Sequence, residues 1–367
     1  MALFLNNEDV ESIFTMDTCL EVLEEAFKEL AKGEALNVAR TEAALPKDDP
    51  ETVYRLKLMA GAVPKMGVMA LRINSDIASY PTMYGHKRQI RKPPSRGRVC
   101  FMIVFDLETS EVLAVLPDNY FSKMRVGATT GLGVKYLARK DARTVGLFGS
   151  GWQATAQLEA ICCVRKIERA KVYSLNPDHR KRFAEAMSEK LDREVIPVDQ
   201  PGEVMKDVDI VAGATSSLDP VIKGAWLEEG MHLATILWPE VDDDAYLKSD
   251  VIAVNTKPLG QAIGKRDLED DLVEYTMKSR PDAPFIFKGQ RRPMNWDKAV
   301  ELGDLLLGKH SGRQNERQIT FHVNNIGLGI QFAAGGAKIY ELAKAKGIGR
   351  EVPAELLDWF YKGQQMI

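Results

Sequence analysis

Four cysteines in 367 residues are few. Cys19, Cys100, Cys162 and Cys163 show no metal-ligand spacing, and the adjacent Cys162 and Cys163 cannot easily bridge each other. A reducing cytosol fits such a chain best. Long apolar runs are missing as well: nothing approaches the ~18 to 20 residues of a membrane helix. The opening MALFLNNEDVESIF has no basic segment ahead of an apolar one, so no secretory leader is expected. Nor does one sign of charge prevail, since 49 Lys and Arg against 52 Asp and Glu leave −3. That balance recruits neither nucleic acid nor a membrane surface. Internal repeats and low-complexity tracts are also lacking. What remains is a cytoplasmic protein that handles small molecules, 45% hydrophobic and long enough for two domains.

The chain opens on an amphipathic pattern from Thr18 to Gly33, with Leu20, Leu23, Phe27 and Leu30 on one face, a capping box of Thr18 and Glu21, and Gly33 as the stop. From Val53 to about Leu116, VYRLKLMAG, GVMALRINSD, VCFMIVFD and EVLAVLP read as an antiparallel sheet. Within it His86 to Arg98 carries six Lys and Arg and no acid, and its prolines make it a loop. It is either a substrate or cofactor reader or a solvated insertion. Ser122 to Arg139 reads as a helix despite Gly127, Gly131 and Gly133; each interior glycine costs roughly 1 kcal/mol, so close packing must compensate.

The pivotal stretch is TVGLFGSGWQATAQLEAI, Thr144 to Ile161: an apolar strand, a glycine turn, a helix. Gly149 permits the tight turn, Gly151 lets the backbone approach a pyrophosphate, and small Ala154 lets helix and strand pack closely; Ser150, Trp152 and Gln153 complete the turn. Strands KVYSLN, DIVAGAT, MHLATIL and DVIAVNT then alternate with helices, which argues for an α/β, doubly wound parallel sheet of Rossmann type. A dinucleotide site follows, with Gly149, Ser150, Gly151, Trp152, Gln153, Ala154 and Thr215 as cofactor-binding residues. An NAD enzyme places an acid at the end of the next strand, but here Ser174, Leu175 and Asn176 stand there with Arg180 behind. Ser174, Asn176 and Arg180 suit a 2′-phosphate, so NADP(H) is preferred, and NAD(H) stays open through Asp178.

Several separated segments, PDNYFSKMRVGATTGLGVKYLAR, FGSGWQATAQLEA, WLEEGMHLATI with its EVDDD, and NNIGLGIQFAAGGAKIYE, together resemble the ornithine cyclodeaminase and mu-crystallin family. The resemblance implies a Rossmann domain, residues 139–317, inserted in an α+β substrate-binding and dimerisation domain, residues 1–138 with 318–367. It implies a homodimer and hydride transfer at a carbon that bears both nitrogen and carboxylate. By the same resemblance Arg125 holds the substrate carboxylate and Arg40 assists. The strand lysine of the family's cyclodeaminases and several of its dehydrogenases falls on Arg72, or with a shifted register on Met69. The cyclodeaminase aspartate after the HLATIL strand is missing, and Glu240 and Asp242 correspond to helix-start acids.

Arg72 stays protonated near neutrality and is a poor proton shuttle, so it binds a carboxylate or pairs with an acid such as Asp76. Lys57, on the neighbouring strand, or bound water manages the proton, unless Lys57 is a surface lysine. Losing the lysine and aspartate argues against ornithine cyclisation. The expected function is an NADPH-dependent oxidoreductase on an amino, imino or oxo acid. A non-catalytic NADPH-binding protein of mu-crystallin type is the alternative, and true ornithine cyclodeaminase the third. Trp152 and Trp238 are candidates for the pocket wall.

Overall fold

The computed structural model describes residues 1–92, 99–257, 296 and 298–353. Among these, nine strands form a first, mostly antiparallel sheet and eight form a second, wholly parallel one. The first is built on the long strands Thr52–Val63 and Val68–Ser79, paired along their full length, with Val99–Asp106 and Val112–Pro117 beyond them. The expected antiparallel sheet is therefore present. The short opening strand Ala2–Phe4 joins its far side in parallel with Val112–Pro117.

Strand alternation puts every second side chain on one face. On Thr52–Val63 and Val68–Ser79 the inward face reads Arg55, Lys57, Met59 and Arg72, Asn74, Asp76, all buried. Charged groups thus occupy positions that usually carry a hydrophobic core. The helix Gly329–Lys346 packs on this face with Phe332, Ala333 and Ile339 fully buried.

The helix Met16–Lys32 starts earlier than the Thr18 box implied: Thr15 is the N-cap and its hydroxyl accepts from Thr18 N at 3.3 Å. Both threonines fit the capping preference, and the position of Met16 in the buried core selects the earlier one. Gly33 ends the helix in the left-handed region, φ 80°.

The parallel sheet runs in the order Glu194–Pro197, Arg169–Tyr173, Thr144–Phe148, Ile210–Gly213, His232–Thr235, Thr320–Val323, Val251–Val254, Val300–Glu301. Successive strands are added on one side of Thr144–Phe148 and then on the other, which makes it the switch point at which open α/β sheets bind ligands. Thr320–Val323 lies inside this sheet, so the return to the first layer comes after Val323 rather than at 318.

The helix Asn119–Leu137 links the two layers. A Cβ on Gly127 would lie 2.4 Å from Ala156 O, and one on Gly131 would lie 3.1 Å from the Ala160 methyl, so this helix runs parallel to Trp152–Val164 at close range. That contact explains the tolerated glycines and carries Arg125 towards the glycine turn. Among the described residues no helix is long and apolar enough to cross a membrane, and none of the four cysteines is bridged.

Candidate active site

Gly149 adopts φ 108°, and a Cβ there would come within 2.3 Å of Ala214 O, so the turn admits no side chain. Gly151 is the N-cap of Trp152–Val164 at φ −94°, and a Cβ on it would meet nothing within 4 Å. Open space before the first free N–H groups of a 13-residue helix is what a pyrophosphate requires. Ala154 is fully buried, Gln153 is half-buried, and Trp152 is exposed. Thr215 stands beside the turn, its amide 3.4 Å from the same imagined Cβ on Gly149.

A cavity of about 300 Å³ adjoins the turn, lined by Ser150, Gly151, Trp152, Thr155, His179 and Arg182 among others. Ser150 Oγ and Ser174 Oγ share a hydrogen bond of 2.7 Å, and Asn176 caps the next helix by accepting from His179 N at 2.9 Å. Arg180 points the other way. Its guanidinium donates to Ser174 O at 3.0 Å, pairs with Asp199 and lies over the Tyr173 ring, and the residue is buried. The exposed side chains beside the cavity that can donate from nitrogen are His179 and Arg182.

Glu240 ties this edge together. Its Oε1 accepts from Thr215 N at 2.6 Å and its Oε2 from Ile236 N and Leu237 N at 3.1 and 2.9 Å, which pins the ends of two neighbouring strands. Burial pushes its carboxyl up to about 7 against the opposite pull of these amides. Glu240 is therefore a brace rather than a helix-start acid, whereas Asp242 does cap Asp243–Lys248. Trp238 packs on Trp296 with ring centres 5.1 Å apart.

Across the cleft two arginines converge on one ring. Arg72 from Val68–Ser79 and Arg125 from Asn119–Leu137 place Cζ 5.5 and 5.1 Å from the centre of Phe332. Arg72 does not pair with Asp76. Its Nε donates to Asp118 Oδ2 at 2.7 Å, and its NH2 meets Asn74 Oδ1 at 3.1 Å and Cys100 Sγ at 3.2 Å. The reason is topological: Asp118 ends the second strand over, one step before the helix that carries Arg125, and reaches Arg72 across the sheet. The Cys100 thiol also donates to Asp118, and burial pushes it up to about 12, so it stays protonated.

Arg125 is half-buried. Its NH1 donates to Gln331 Oε1 at 3.3 Å, while its Nε is sealed from solvent without a partner. Burial draws this guanidinium down to about 10, which leaves it cationic at neutrality. Asn74 Nδ2 and Asp118 Oδ1 are likewise buried and unpaired. Three unsatisfied polar atoms around one arginine pair are costly unless water or a ligand meets them.

Lys57 is buried, not on the surface, directly opposite Asn74 in the strand register. Its Nζ lies 3.7 Å from Glu42 and 3.8 Å from Asp76. Burial, together with Arg55 and Arg40, holds it well below the ordinary lysine range despite these acids. Arg55 takes Asp76 in a two-pronged pair at 2.8 and 3.0 Å. Arg40 is half-buried and engages Glu42, which puts it at the edge of the same polar stripe rather than at the arginine pair. Met69 points to the opposite face of the strand from Arg72.

Asp118, Asn74, Cys100, Gln331 and Phe332 were not singled out by sequence reasoning. Only Asn74 carried a signal, two residues from Arg72 on the same strand face; the rest are assembled by strand order. His86 to Lys92 forms two short strands rather than a free loop, and residues 93–98 lie outside the described residues.

A sequence profile of the ornithine cyclodeaminase/mu-crystallin family matches residues 1–347. Alanine dehydrogenase of Archaeoglobus fulgidus is 28% identical over 354 residues, 95% of this chain and 98% of that protein. Delta(1)-pyrroline-2-carboxylate reductase of Thermococcus litoralis, solved with NADH and L-proline, superposes with a TM-score of 0.76 at 30% identity over 95% of this chain and all of that one. An archaeal alanine dehydrogenase dimer with bound NAD superposes at 0.75, 25% identical, over 96% and 99% of the two chains.

Proposed function

Because the chain belongs to the ornithine cyclodeaminase/mu-crystallin family, we propose that it is a nicotinamide-dependent oxidoreductase of amino and imino acids, working on a C–N bond next to a carboxylate. The observation that carries this reading is the convergence of Arg72 and Arg125 on Phe332, with Arg125 borne on the helix that runs alongside the glycine-turn helix. The relatives named above act on alanine and on pyrroline-2-carboxylate, small acids of the same class.

The dinucleotide is held by the turn Gly149 to Ala154 with Thr215, and its nicotinamide supplies the hydride. Arg125 receives the substrate carboxylate; a planar guanidinium fixes the carbon for attack. Arg72, locked by Asp118, presents its remaining edge to the same region. Lys57 manages the proton: a lysine that gives up its proton readily suits general acid and base work, which Arg72 cannot do. Arg40 tunes Lys57 through Glu42 rather than holding the carboxylate.

NADP(H) is the preferred cofactor. Ser174 where an acid would stand supports this choice, with the Arg182 guanidinium and the His179 imidazole beside the cavity and Arg180 as scaffold. NAD(H) is the rival, bound in both structural relatives. The compartment is the cytosol, in keeping with four free thiols.

The protein works as a homodimer through the outer face of the first sheet. There Leu58, Leu71, Ile73, Phe101, Ile103 and Phe105 stand together by register, only half-buried. Such an apolar face calls for a cover.

A second reading, a non-catalytic holder of cofactor, draws on one feature: Arg72 replaces the expected lysine and is already engaged. Parallel titration with NADPH and NADH, then dinucleotide oxidation against cyclic imino acids and against 2-oxo acids with amines, separates the two. Amine- or imine-dependent oxidation that Arg125→Ala abolishes supports the oxidoreductase; tight binding without turnover supports the holder. Ammonia release from ornithine without net oxidation would indicate cyclodeaminase instead.

A further inference from the structure

The basic segment after Gly85 joins the two domains. Gln89 N donates to Ser216 O and Leu218 N to Lys87 O, both at 2.8 Å, around an antiparallel bridge between Arg88 and Ser217. Arg88 Nε donates to Ser216 Oγ at 3.0 Å, and Lys87 N to Asp219 Oδ2 at 2.6 Å. Between these bonds Leu218, 1% exposed, packs with Val53, Ala78 and Tyr80 of the first sheet. A leucine of the nucleotide-binding layer is thus seated in a socket of the other layer.

Both ends of this contact lead to the cleft. Loop 214–219 follows strand Ile210–Gly213, and its first residues crowd Gly149. At the other end Tyr80 OH accepts from Arg55 NH1 at 3.0 Å, and Arg55 grips the Asp76 that faces Lys57. A ligand that fixes the glycine turn therefore acts on a short, packed route to the polar stripe. Interfaces between domains of one chain are small enough that relative motion is the default. An apolar plug flanked by backbone pairing is a device that opposes it.

We infer that His86–Gln89 and Ser216–Asp219 form an interdomain clasp, and that Leu218 is the positioning residue coupling dinucleotide binding to closure of the cleft. The coupling rests on the reading of the Gly149 turn as a dinucleotide site; the clasp does not. Since coupling is reciprocal, loosening the clasp must also weaken the dinucleotide's grip.

Amide hydrogen exchange on the full chain, with and without NADPH or NADH, tests this. Gln89 and Leu218 amides are expected to exchange slowly in the free protein and about tenfold more slowly once dinucleotide is bound. In Leu218→Ser both should exchange at least about tenfold faster and lose the response to dinucleotide, whose dissociation constant rises several-fold. Leu218→Val should restore the response, and an unchanged exchange pattern elsewhere certifies that the variants fold. Arg88→Ala should show a milder form of the same change. Fast exchange at both amides in the unmodified protein overturns the clasp. Slow exchange that bound NADPH or NADH leaves unaltered overturns the coupling. If neither dinucleotide binds, the coupling falls with the cofactor reading, while slow exchange at Gln89 and Leu218 still supports the clasp.

Discussion

Replacing Gly151 by alanine separates folding from cofactor binding more cleanly than any other change in the turn. The backbone there, φ −94° and ψ −177°, is extended and open to any residue, and the added methyl meets no protein atom within 4 Å. Alanine is a poorer N-cap than glycine by up to about 1 kcal/mol, but it restricts the unfolded chain by about 0.4–1 kcal/mol. The two effects nearly cancel, so the melting temperature should move by no more than about 3 °C. Binding has no such compensation. The methyl occupies the space in front of the helix N–H groups, and losing one hydrogen bond to a charged phosphate costs about 1.5–3 kcal/mol. The NADPH dissociation constant, read by fluorescence titration, should rise about ten- to a hundredfold. Gly149→Ala is the contrast: a Cβ 2.3 Å from Ala214 O forces the strand ends apart, and both stability and binding should fall. An unchanged dissociation constant in a well-folded Gly151→Ala protein would refute the assignment of the pyrophosphate to this turn.

The Arg72–Asp118 pair is buried at both ends, so Asp118→Asn should destabilise the protein by about 3 kcal/mol in urea unfolding, and Arg72→Met added to it should restore part of the loss instead of adding to it. His322 is fully buried, and burial holds it at about 3, below its ordinary 6.5. The unfolded chain therefore binds a proton that the fold does not: the contribution is complete above about pH 6.5 and drains as pH falls, at about 1.4 kcal/mol per pH unit. His322→Gln should flatten the stability profile by that slope between pH 6.5 and 4, and an unchanged slope in chemical denaturation would contradict it. On the outer sheet face, Ile103→Asp should turn a dimer into a monomer by light scattering while the melting curve keeps its cooperativity. Arg125→Lys keeps the charge but loses the two-pronged fork, so kcat/KM for an imino acid should fall at least about tenfold with NADPH affinity unchanged.

What the sequence determined by itself was local. The period of two in VYRLKLMAG and GVMALRINSD specified paired strands, the strand, glycine turn and helix around Gly149 specified the switch point, and Gly33 marked the end of the helix Met16–Lys32. These features depend on neighbours in the chain, and so they can be read there. What only tertiary structure decided was partnership. Arg72 chose Asp118, 46 positions away, over Asp76, four away, because strand order brings Asp118 to the same face while Arg55 already holds Asp76. Lys57 became a buried, easily deprotonated amine because it lies on the covered face of its strand beside the cations Arg55 and Arg40. Arg180 turned from the cavity to Asp199, and a basic segment read as either a ligand reader or a solvated insertion pairs through Arg88 with Ser217, which follows a strand of the parallel sheet. Charges and hydrogen-bonding groups find their partners by distance in space, and distance in space is set by the whole topology rather than by spacing along the chain.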